Sequence, residues 1–202
     1  IANILDGWGV LINNSSGNTV EGNYIGTDIS GGSAVANGVG VVLITVEGTS
    51  SGNTIADNVI SGNNGYFSPT DPGNGVFLFG DGVSGTVVQG NAIGTNAARS
   101  APVPNTAGGV TIRRGAHDNT IGGSTPAERN IISGNTASGV NILDVGTLGN
   151  IIKGNYIGTA ADGVTSLPNA KGGVWMEQGA TWNTIGGLSP GEGNVIAHNG
   201  SD

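Results

Sequence analysis

The short run Arg113-Arg114-Gly115-Ala116-His117-Asp118 gathers more titratable chemistry than any other stretch of the chain. Histidine has the side chain whose ordinary pKa lies nearest neutrality, so His117 could move a proton while Arg113 and Arg114 hold an anionic group. Asp81 stands one repeat before this run and Asp144 one repeat after it. The plainer reading of the same residues is a ladder of alternating charge that favours solubility and register.

Two other sets invite chemistry. Trp175 and Trp182, with Glu177 and Gln178 nearby, offer flat aromatic faces beside polar groups, which suits carbohydrate. Their structural alternative is shielding of one end of the molecule. Asp28, Asn96 and Asp162 supply oxygens that a calcium ion could use, but such an ion needs about six to eight. Asp28 and Asp162 do not occupy equivalent places in their loops, so self-capped loops are expected there rather than a repeated metal site.

The elements that position these groups come from an internal repeat. A leading glycine recurs as Gly9, Gly40, Gly75, Gly109, Gly139 and Gly173, each followed by valine. Two residues after each valine (Val10, Val41, Val76, Val110, Val140, Val174) stand Ile12, Leu43, Leu78, Ile112, Ile142 and Met176. A third column reads Val20, Ile55, Val88, Ile121, Ile152, Ile185, and a fourth Ile25, Ile60, Ile93, Ile132, Ile157, Ile196. Every position in the four columns is apolar, although only 36% of the chain is hydrophobic.

A period of roughly 30 to 35 residues, with apolar alternation in short pieces, is the signature of a solenoid. Helices are disfavoured, because 40 glycines and the β-branched inward residues each oppose helix by up to ~1 kcal/mol. The expected fold is all-β: a right-handed parallel β-helix of about six turns, three short strands per turn, with long loops on alternate turns. Those loops run 26–37, 94–105 and 158–169, and Val35, Val103 and Leu167 are expected to tuck onto the coil. Asn23, Asn58, Asn91, Asn130, Asn155 and Asn194 share one corner, expected in the left-handed region and bonded amide to amide between turns. A second corner holds Asn18, Asn53, Asn119, Asn150 and Asn183, with Thr86 as its exception.

On the Gly-Val strand the outward residues are Leu11, Val42, Phe77, Thr111, Asn141 and Trp175, then Asn13, Ile44, Phe79, Arg113, Leu143 and Glu177. Leu11, Val42, Ile44, Phe77 and Phe79 form an outer apolar patch that calls for a cover, and the loop bearing Tyr66 and Phe67 is the expected one. The chain reads as a single domain over 202 residues and, because both ends fall within the repeat, as a fragment of a longer solenoid or a unit whose ends meet other copies. A net charge of −8, from 14 acids against 6 bases, disfavours nucleic acid. No apolar run is long enough to span a membrane as a helix, and the absence of cysteine excludes a disulfide framework.

The segments Gly17-Asn18-Thr19-Val20-Glu21-Gly22-Asn23-Tyr24-Ile25-Gly26-Thr27 and Gly154-Asn155-Tyr156-Ile157-Gly158-Thr159, with the Asn-Thr-Ile-Gly-Gly pieces, resemble the parallel β-helix repeats of bacterial surface and secreted proteins. That superfamily also holds pectate lyases, polysaccharide epimerases and tailspike glycosidases. The resemblance implies an extracellular or cell-surface location and an acidic-polysaccharide chemistry in which carboxylates hold calcium and a basic residue removes a proton beside a uronate. Arg113, Arg114, His117, Asp118 and Asp144 are the nearest match to that machinery. No three acids stack on adjacent turns and no Asp-Asp pair occurs, so the catalytic set is incomplete. The expectation is a noncatalytic module that serves as spacer, adhesive or self-associating element and touches polysaccharide. A polysaccharide lyase, epimerase or glycoside hydrolase is the alternative.

Overall fold

The computed structural model describes residues 1–65 and 73–201. It contains three six-stranded parallel sheets, and the chain visits each in turn before rising to the next layer. The first sheet is built from Trp8–Asn13, Val39–Ile44, Val76–Phe79, Val110–Arg113, Val140–Leu143 and Val174–Glu177. The second runs from Thr19–Glu21 to Thr184–Ile185 and the third from Tyr24–Ile25 to Val195–Ile196. This is a parallel β-solenoid with three strands per turn, six layers separated by five stacking steps.

Register follows the repeat residue for residue. Val10, Val41, Val76, Val110, Val140 and Val174 pair in succession, as do the columns starting at Val20 and Ile25. Their side chains meet in one continuous core in which Leu43, Ile55, Ile93, Ile121, Ile132 and Ile152 are fully buried, whereas in the sixth layer, which no further layer covers here, Met176 and Ile196 of the inward columns are exposed. Since parallel strands pair only with their copies a layer away, alternate residues must face inward together, and β-branched side chains fill the narrow interior at each level.

The leading glycine has a steric cause. A Cβ on Gly40 would stand 2.5 Å from Ile60 Cγ2 and 2.5 Å from Gly75 O, and Gly109 meets Ile132 in the same way. The third-sheet isoleucine therefore packs onto bare backbone where the first sheet begins.

Three asparagine ladders pin the layers. In the ladder from Asn23 to Asn194 each Nδ2 donates to the next Oδ1, for example Asn58 to Asn91 at 3.1 Å and Asn91 to Asn130 at 3.0 Å. The ladder from Asn18 to Asn183 works similarly, with Asn119 donating to Asn150 at 3.0 Å. The third was not foreseen: Asn37, Asn63, Asn105, Asn135, Asn169 and Asn199. Unequal loops hide its period, although Asn105, Asn135 and Asn169 each stand at a constant distance before the glycine of the next strand.

Two local expectations are corrected. The asparagines of the Asn23-to-Asn194 ladder do not take the left-handed conformation; in four of its six layers the residue before them does, at Gly22, Asp57, Gly90 and Gly154, and at the second corner Gly17, Gly52, Gly85, Asp118, Gly149 and Trp182 do so in every layer. The bend sits one residue early so that the asparagine can point inward with its main-chain N–H free to reach the next Oδ1, as Asn119 N does toward Asn150. Val103 and Leu167 are buried, but Val35 stays 37% exposed, since its layer has only the opening residues beside it. The outer patch is a second cluster of Val39, Val42 and Phe77 with Ile44 and Phe79 packed on it, while Leu11 is exposed. Its expected cover by Tyr66 and Phe67 lies outside the described residues.

Candidate functional site

Outward residues of the first sheet form the floor of an open groove of about 250 Å³ that climbs from the third layer to the sixth. Phe77, Thr111, Asn141 and Trp175 succeed one another along it, in register. One wall comes from the approach to each strand, at Asn74, Gly108, Ser138 and Lys171; the other from Arg113, Leu143 and Glu177. At ~4.8 Å per layer the three steps span roughly 14 Å, enough for an extended ligand lying parallel to the solenoid axis.

Arg113 and Asp144 meet here as a two-point pair, Nε to Oδ2 at 2.9 Å and Nη2 to Oδ1 at 3.3 Å. Arg114 adds its main-chain N–H to Asp144 at 3.2 Å and its Nε at 3.7 Å. Burial alone would raise the Asp144 pKa; the hydrogen bond and charge of Arg113, then of Arg114, override it and hold the carboxyl below its ordinary value. Asp144 thus balances Arg113, while Arg114 shares the same carboxylate from a more exposed position.

Trp175 and Glu177 share the groove with Arg113. Glu177 accepts from Gln178 Nε2 at 3.0 Å. His117 and Asp118 stand elsewhere, past the end of the strand at the corner leading to the second sheet, His117 bridging to Ser84. Their side chains pair at 2.8 Å, and among the described residues no hydrogen bond or ion pair joins them to Arg113 or Asp144. Asp81 lies beside Gly115, away from the groove lining. Trp182 occupies that same corner with φ 61°, where four layers carry glycine, and is 87% exposed.

The oxygens considered for calcium are spent on their own loops. Asp28 accepts from the Ser30 hydroxyl at 2.9 Å and from Gly32 and Ser33 N–H groups. Asn96 holds Ser100 and Ala101 in the same manner. In the third loop Ala160 replaces that residue and Asp162 takes over, accepting from Val164 N at 2.9 Å and Thr165 N at 2.8 Å. Among the described residues no three His, Asp or Glu side chains come together as a metal site.

The groove wall of Asn74, Gly108 and Ser138 was not foreseen, because these residues lie before the strands and only their stacking makes a surface. Among the described residues no helix is long and apolar enough to cross a membrane. No protein-family model, no curated protein and no solved structure matches this chain, so the β-solenoid assignment stands on its own register and ladders.

Proposed function

We propose that this chain is a noncatalytic β-helix module of a secreted or cell-surface microbial protein, a rigid spacer and adhesive element whose first sheet binds polysaccharide. The observation that carries the reading is the groove itself: an aromatic ring, a carboxamide and apolar side chains arranged in register along the axis, with its strongest charge already paired. An elongated, sugar-bearing ligand fits that surface because ring faces stack on tryptophan and hydroxyls find amide and hydroxyl partners.

Enzymatic polysaccharide cleavage is the competing reading, and the His117–Asp118 pair is what favours it. Against it stands the separation of that pair from the groove and the commitment of Arg113 to Asp144. Retention on immobilised neutral and uronate polysaccharides, with assay of unsaturated products and reducing ends, separates the two. Binding without turnover, weakened at least fivefold by Trp175→Ala, is expected. Turnover abolished by Arg113→Ala or His117→Ala would overturn the proposal.

A further inference from the structure

We infer that the groove takes a polysaccharide carrying 2-acetamido groups, an inference that rests on the binding function proposed above and names its ligand class. Charge is the first argument. Arg113, the arginine that lines the groove, is held by Asp144 through two contacts, with Arg114 sharing that carboxylate from outside the lining, and in the sixth layer Lys171 and Glu177 stand with opposite sign. A uronate chain gains little from a guanidinium that is already paired, and it meets the exposed Glu177.

Asn141 supplies the second argument. Its Nδ2 donates to Thr111 Oγ1 at 3.3 Å, and the Thr111 hydroxyl in turn donates to Asn74 Oδ1 at 2.8 Å. In this arrangement the Nδ2 end of the Asn141 carboxamide faces Thr111. Its Oδ1 and its second N–H are left for the groove, where Asn141 is half-buried. A planar amide offering one acceptor and one donor side by side is the complement of a secondary amide. Ala107, Ala137 and Leu143 line the same groove and provide apolar contact for a methyl group, while Trp175 offers a ring face one layer on.

Gly108 is the third argument. A Cβ at this position would stand 2.4 Å from Asn141 Nδ2 and 3.0 Å from Thr111 Oγ1. Any other residue would crowd the carboxamide, so the bare backbone keeps it approachable.

The test compares β-1,4-linked oligomers of N-acetylglucosamine and of glucose, equal in length, by titration calorimetry on the full chain. The acetylated oligomer is expected to bind about tenfold tighter, since an unmatched carboxamide penalises the hydroxyl analogue. Asn141→Leu and Gly108→Ala should bring the two oligomers to parity with the far-ultraviolet circular dichroism unchanged, whereas Trp175→Ala should weaken both. Equal affinity of the unmodified protein for the two oligomers overturns the acetamido assignment. If neither oligomer binds while another polysaccharide does, the assignment fails and the polysaccharide reading survives; if no polysaccharide binds, both fail.

Discussion

Tyr156 packs against Gly163 so closely that a Cβ on the glycine would lie 2.8 Å from the ring, and Tyr24 meets Gly31 in the same way two double-layers below. The intervening long loop solves the problem in reverse. There the tyrosine is Ala92 and the glycine is Arg99, whose φ is 56° and whose Nη2 reaches Gly90 O at 2.6 Å. The loops touch directly, Ala97 N to Gly31 O at 3.0 Å and Ala161 N to Arg99 O at 3.2 Å, so each pair supports the next.

Gly163→Ala is therefore expected to cost about 1–3 kcal/mol, from a left-handed backbone and the lost space, which lowers Tm by roughly 2–4 °C per kcal/mol. The combination Tyr156→Ala with Gly163→Arg, which copies Ala92 and Arg99, should be better tolerated than Gly163→Arg alone. Thermal unfolding of the variants gives the coupling; additive costs would show that the two positions are independent.

Thr86 interrupts the second ladder. It is fully buried and its hydroxyl has no hydrogen-bond partner among the described residues. Its main-chain N–H still reaches Asn119 Oδ1 at 2.9 Å, but it offers Asn53 no carboxamide oxygen. Thr86→Asn is expected to complete the ladder and add about 1 kcal/mol of stability. A lower denaturation midpoint in urea would mean that the layer cannot admit the larger side chain.

Acid should loosen the loops before the core. The Thr165 hydroxyl, then the N–H groups of Val164 and Thr165, hold the Asp162 carboxyl down to about 2. Asp28 is lowered by the Ser30 hydroxyl and the Ser33 and Gly32 N–H groups, and Glu128 by the Thr125 and Ser124 N–H groups. A carboxyl depressed in the folded state contributes its stability fully above the unfolded value, near 4, and loses it as pH falls through the folded value. For Asp162 the window runs from about pH 4 down to about 2. The urea midpoint should decline across it, and Asp162→Asn should flatten the decline. A midpoint with the same pH slope in that variant would show that the carboxylate does not hold the loop.

The sequence by itself determined the solenoid, its inward columns and two of its ladders. A parallel strand that pairs with its own copy in the next layer must repeat its apolar period, so Val110, Ile112, Ile121 and Ile132 declare the core without coordinates. The third ladder escaped because Asn63 and Asn105 are brought together across loops of unequal length, and only stacking removes that inequality. Tertiary structure alone decided the site. Arg113 and His117 are close along the chain, yet the corner between them turns one toward the groove and the other toward the second sheet. Gly108, Asn141 and Trp175 come from three different layers and share a surface because successive layers rise by only ~4.8 Å.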